Sequence, residues 1–230
     1  MKVFFTLFLV IIITVICFQG KIVFAGTWTD NFSSGNLDSW EIPQDRLGVS
    51  TWQVKNGHLD FRFSHPEGKL FIQYTCDLLF NGFPFNHDRF RVKLTILDTH
   101  NSMVGIVIGK YTTINNMDSY WRSSYKFFQR SVWPPIDFPG QQPDMRLNIE
   151  KDIEIVFDKG HFELMSNGKH ILEFEDHNIQ TIDCLGIIAN VNQERIASFQ
   201  VDDFVISGPT ILDVRPKDKA AVLWGKLKQQ

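Results

Sequence analysis

Residues 89–97, "RFRVKLTIL", alternate without a break: Phe90, Val92, Leu94 and Ile96 take one side, Arg89, Arg91, Lys93 and Thr95 the other. A period of two marks a strand with one face buried. Further along, "DIEIVFD", "HFELMS" and "HILEFED" are separated by "KG" and "NGK". Lys-Gly and Asn-Gly supply the positive φ angles that tight hairpins need, so these runs predict three strands in a meander. "HLDFRF", "LFIQYTC", "MVGIVIGK", "LGIIAN" and "ASFQVDDFVIS" add further strands, roughly a dozen in all with turn residues between them. No repeat or low-complexity linker divides the chain. The predicted fold class is all-β, a two-sheet antiparallel jelly-roll sandwich.

The two ends depart from that pattern. Lys2 is followed by the apolar run "VFFTLFLVIIITVICF" and then by "VFAG". The run is short for a membrane span, and Val23 and Ala25 are the small residues that signal peptidase prefers, so residues 1–25 are expected to be an export signal cleaved after Ala25. A retained N-terminal anchor is the other reading. Residues 26–209 then form the sandwich domain, and residues 210–230 a tail. After Pro216 the period becomes helical, with Ala220, Leu223, Trp224 and Leu227 on one stripe, which predicts a short amphipathic helix.

Charge refines the picture. Removing residues 1–25 takes Lys2 and Lys21 but no acid, so the net charge moves from −3 to about −5. Residues 215–230 carry about +4 of that total, through Arg215, Lys217, Lys219, Lys226 and Lys228 against Asp218. The body is therefore acidic, and nothing favours a nucleic-acid partner. The basic tail either docks on its own acidic domain or attaches the protein to an anionic surface such as a membrane interface. Two cysteines follow the signal, Cys76 and Cys184, both in apolar strand-like runs. In an oxidising compartment they either pair as a disulfide or stay as two buried thiols.

The order "DNFSSGNLDSW", "TWQVKNGHLDF", "DRFRVKLTI", "VGIVIGK", "FDKGHFELMSNGKHILEFED" and "VDDFVISGP" resembles the concanavalin A-like lectin/glucanase superfamily, from Trp28 to Pro209. Secreted laminin G-like domains and the 3-keto-disaccharide hydrolase domain family are its nearest members in pattern. The resemblance implies the sandwich fold and a first strand paired with the last; a shared fold does not bring a shared function. In that last strand, strict alternation would put Asp203 on one face with Phe199, Val201 and Val205. A buried carboxylate is costly unless it is hydrogen-bonded or bound to a cation. A β-bulge at Asp202-Asp203 removes the conflict; a structural calcium site drawing on Asp30 and Asp203 is the alternative. No other cofactor is expected. Asn31-Phe32-Ser33 also matches a glycosylation sequon.

The segment "LEFEDHN" puts Glu173 and Glu175 on one face, but a solvated charged face accounts for them. The seven histidines are scattered without zinc-ligand spacing, and there is neither a G-x-S-x-G motif nor a phosphate loop. The most aromatic stretch is "SYWRSSYKFFQRSVWPPIDFPG". Along it Trp121, Tyr125 and Phe127 share one face, and Arg122, Ser124 and Lys126 the other. Trp133 precedes Pro134-Pro135, which excludes it from a central strand and puts it at the sandwich edge or rim. Trp133 with Trp121, Arg122 and Tyr125 is the candidate ligand groove, because sugar rings stack their C–H faces on indoles while Arg and Tyr bind hydroxyls; the competing reading is that these rings are core. Two functions remain: a secreted, non-catalytic module binding a carbohydrate or a surface protein, and an extracellular carbohydrate-active enzyme whose catalytic acids are unassigned.

Overall fold

The computed structural model describes residues 26–43, 50–64, 73–110, 124–133, 149, 151–192 and 196–211. They form fourteen strands and no helix: β1 (Gly26–Asp30), β2 (Trp40–Glu41), β3 (Ser50–Lys55), β4 (His58–Ser64), β5 (Gln73–Phe80), β6 (Arg89–His100), β7 (Met103–Gly109), β8 (Ser124–Phe128), β9 (Val132–Trp133), β10 (Asp152–Asp158), β11 (His161–Ser166), β12 (Lys169–Glu175), β13 (Cys184–Asn192) and β14 (Ile196–Gly208). Two antiparallel sheets result. The larger runs β12-β11-β10-β6-β14-β4-β3, with β1 also paired to β14; the smaller runs β2-β5-β13-β7-β8-β9. The expected tail helix lies outside the described residues.

The hairpins follow local chemistry. Asn56-Gly57, Lys159-Gly160 and Asn167-Gly168 all have positive φ at both positions, the turn geometry whose twist matches paired strands. The long strand β14 pairs with β6 on one side and with β4, then β1, on the other. Its register slips between Val201 and Phe204. This is the expected bulge, and it sits where the partner changes from β4 to β1. Val201, Phe204 and Ile206 all face the core as a result, while Asp202 and Asp203 stay half-buried.

The core is a layer of rings between the sheets. Trp28 meets Phe80 at 4.5 Å, Trp40 meets Phe204 at 5.0 Å, and Tyr125 meets Phe162 at 5.0 Å. Each of these pairs joins one sheet to the other. Ile211 is buried as well.

Both carboxylate oxygens of Asp30 are engaged by N–H donors in this arrangement. Its Oδ1 accepts from the Phe32 N–H and its Oδ2 from Trp40 Nε1, both at 2.8 Å. The first bond holds Phe32 at φ +53°, a conformation that bulky residues avoid; the second ties β1 in one sheet to β2 in the other. The stretch "DNFSSGNLDSW" is thus a turn clamped at both ends by its first residue. Asp203 lies in the bulge, where burial and Asp202 raise its carboxyl and Lys93 opposes them. Among the described residues no group of three or more His, Cys, Asp or Glu is placed to hold a metal.

The disulfide expectation is also corrected. Cys76 stands opposite Ala189, five residues along β13 from Cys184, and an odd offset on a strand means opposite faces. Cys76 belongs to the core between the sheets and Cys184 to a separate cluster on the outer face of the smaller sheet. They are separate thiols. Alkylation in denaturant without reductant should label the peptides of both; a linked Cys76–Cys184 peptide pair would refute this placement.

Two stability predictions follow from buried carboxylates. Asp30→Ala orphans the Trp40 indole and the Phe32 amide and should lower the unfolding free energy by about 2–3 kcal/mol in urea titrations; an unchanged midpoint would show that the clamp contributes nothing. Asp60 is 3% exposed. Burial alone would raise its carboxyl, but bonds from Gln53, Gln200 and Arg62 outweigh burial and hold it below the usual range. A depressed carboxyl contributes stability above the unfolded pKa of about 3.9 and loses it as pH falls through the folded value. The gap between wild type and Asp60→Asn should therefore be full at pH 6 and narrow below pH 4; a gap independent of pH would contradict it.

Candidate functional site on the outer face of the smaller sheet

The aromatic stretch divides differently from the groove expectation. Tyr125 points inward: its ring packs on Phe162 and Phe174, and its O–H donates to Asp176 Oδ2 at 2.8 Å. Burial and that bond push its phenol up. It is a core residue joining the sheets, and it leaves the candidate groove. Trp133 lies in the two-residue edge strand β9, in register with Lys126. Trp121 and Arg122 lie outside the described residues.

Inward Tyr125 and Phe127 turn Ser124, Lys126 and Phe128 outward. Register extends that face across the sheet. One row runs through Lys126, Val107, Gly186, Leu79 and Glu41, with the backbone of β9 paired beside Lys126. The next runs through Phe128, Gly105, Ile188 and Asp77, and the one after through Met103, Asn190 and Thr75. Six strands that are far apart in sequence thereby share one surface.

This surface is unlike an ordinary solvated face. Leu79, Val107, Phe128, Cys184 and Ile188 form a buried apolar cluster on it. Among them stand polar groups that burial penalises: Lys126 at 0% exposure, Ser124 at 1% and Asn190 at 6%. Lys126 Nζ donates to Ser124 Oγ at 3.0 Å. Burial brings its ammonium down to about 8, with Asp77 opposing. The Oδ1 of Asn190 is buried and accepts no hydrogen bond among the described residues. A Cβ at Gly105 or Gly186 would fall 2.3 or 2.4 Å from the carbonyl oxygen of Phe127 or Leu78, so no side chain fits at these two central positions. The result is an apolar floor with cation and hydroxyl on the β8 side and carboxylates and amide on the β2-β5-β13 side.

No protein-family model matches the chain, and no curated protein matches it. Solved structures do. The fold is that of a galectin-like jelly roll. A Bacillus subtilis protein of unknown function with a galectin-like fold is 11% identical at a TM-score of 0.51, covering 81% of this chain and 98% of that one. A native glycosidic hydrolase is 9% identical at 0.53, covering 84% and 100%. A structure from work on endo-acting O-glycanases of the human gut microbiota, which initiate mucin breakdown, is 12% identical at 0.52, covering 82% and 99%. These likenesses establish the expected β-sandwich, and at such identities they establish the fold alone.

Alternation along "SYKFF" already put Lys126 opposite Tyr125. That Lys126 would be wholly buried, and that Glu41, Asp77 and Asn190 would share its face, carried no sequence signal, because it depends on which strands become neighbours.

Proposed function

We propose that the protein binds glycans along the outer face of its smaller sheet, and that residues 1–25 direct its export. The observation that carries the reading is Asn190: a buried amide oxygen without a donor among the described residues, one diagonal step from Asp77, on a face whose centre is the apolar cluster of Leu79, Val107, Phe128, Cys184 and Ile188. Sugars present hydroxyl donors and apolar C–H patches together, which is the combination such a floor complements. The fold shared with a glycosidic hydrolase and with a structure from work on O-glycanases supports the same ligand class. Carbohydrate is therefore the favoured partner, ahead of a surface protein or a membrane reached through residues 215–230.

A glycan array with the protein starting at Gly26 tests the reading; no binding to any glycan would defeat it. Asn190→Ala discriminates further. An orphaned buried acceptor costs about 1–3 kcal/mol, so its removal should leave the melting temperature unchanged or higher while weakening the best glycan about tenfold, a change of about 1.4 kcal/mol. Unchanged affinity, or a marked drop in melting temperature, would show that Asn190 serves packing.

A further inference from the structure

The turn that follows β14 is fastened to the domain by an imidazole. His87, just before β6, exchanges two backbone hydrogen bonds with Ile182, just before β13, at 2.9 Å each. Its ring stands edge-on to Phe85, with centroids 4.4 Å apart, and edge-on to Phe83 at 6.5 Å. The two ring nitrogens meet different surroundings. Nδ1 lies 2.8 Å from Thr210 Oγ1, in the turn beyond β14. Nε2 is buried and has no hydrogen-bond partner among the described residues. The Ile211 N–H closes that turn by donating to the Gly208 carbonyl at 3.2 Å, and the Ile211 side chain joins the core. Charged groups flank the ring on two elements. Asp88, next in the chain, has Lys159 Nζ at 3.7 Å from its carboxylate, and Arg89 has Asp158 at 3.0 Å. On the β13 side Asp183, beside Ile182, has Lys110 Nζ at 3.8 Å.

A neutral imidazole suits this place. With the proton on Nδ1 it donates to Thr210 Oγ1 and leaves only an uncharged acceptor unpaired at Nε2. An imidazolium carries N–H on both nitrogens, and its Nε2–H would be a buried, charged donor without an acceptor, which is costly. We propose that His87 is a pH-sensitive latch for the C-terminal turn Gly208–Ile211: neutral, it holds Thr210 and keeps Ile211 in the core, and on protonation it lets both go. Burial, opposed by Asp88, holds the ring below the ordinary histidine value. A histidine kept neutral by the fold contributes stability above the unfolded value of about 6.5 and loses it as pH falls through the folded value. The latch is therefore closed at neutral pH and opens in acid. The basic residues 215–230 follow this turn in the chain, so their attachment to the sandwich begins at the latch.

Ring nitrogen shifts of the protein starting at Gly26, followed by NMR from pH 8 to pH 4, give the titration midpoint of His87 directly. A midpoint below about 6.5 is expected, and one at or above it would overturn the proposal. Hydrogen exchange, corrected for the intrinsic pH dependence of amide exchange, reads the latch itself. Protection of the Ile211 amide should fall at least about fivefold between pH 7.5 and pH 5, while the Ile187 amide in mid-β13 keeps its protection. Constant protection at Ile211 would refute the latch. His87→Asn keeps an uncharged hydrogen-bonding group near Thr210, so the fall should vanish in it; a fall of the same size would show that another group titrates. Should His87→Asn lose the fold, Thr210→Val decides. It should loosen Ile211 at both pH values alike, and an undiminished pH dependence would refute the role of the His87–Thr210 contact.

Discussion

Every strand of this sandwich must turn one face toward the other sheet, and the two inner faces meet in a single layer of rings. Trp28 on Phe80, Trp40 on Phe204 and Tyr125 on Phe162 cross the interface. Aromatic side chains bury large areas and prefer tilted or edge contacts, so the separation and orientation of the sheets are tied to these pairs. The irregular features serve the same constraint. A one-residue slip at Asp202-Asp203 lets both halves of β14 keep their apolar side inward. Asp30, the one carboxylate on the inner face of β1, has both oxygens occupied by N–H donors, one of them from the opposite sheet.

With the inner faces committed to each other, the outer faces are free to differ, and they differ in kind. On the larger sheet, Arg89 pairs with Asp158, Arg91 with Glu154 and Lys93 with Asp152 across β6 and β10. Half-exposed pairs of this sort contribute little stability and keep a sheet face wet. On the smaller sheet the charged residue at the centre, Lys126, is wholly buried and bonded to Ser124 beside an apolar cluster. Burying polar groups in that way opposes folding unless they are satisfied.

The aromatic stretch shows how far local pattern reaches. Alternation separated Tyr125 and Phe127 from Ser124 and Lys126 correctly, but does not reveal which side faces the core when both sides carry bulky or apolar residues. The inner position of Tyr125 was decided by the rings of β11 and β12 waiting there and by Asp176 at its hydroxyl. The Pro-Pro pair after Trp133 did signal an edge, since proline cannot donate to a ladder, and β9 is the edge strand of its sheet. The bulge was legible for a similar reason: an acid inside an apolar alternation is too costly to leave in place.

What the sequence by itself determined is local: the strands through their period of two, the hairpins at Asn56-Gly57, Lys159-Gly160 and Asn167-Gly168 through their positive φ angles, and so the all-β sandwich. Only the tertiary structure decided which strands lie side by side. Cys76 and Cys184 were both legible as buried strand residues, yet an odd offset along the β5-β13 ladder puts them on opposite faces. Glu41, Asp77, Lys126 and Asn190 come from four separate strands and meet on one face because β2, β5, β13, β7 and β8 are neighbours in that order. The physical reason is that side-chain alternation is dictated within a few residues, whereas strand order is chosen by the fit of two whole apolar faces.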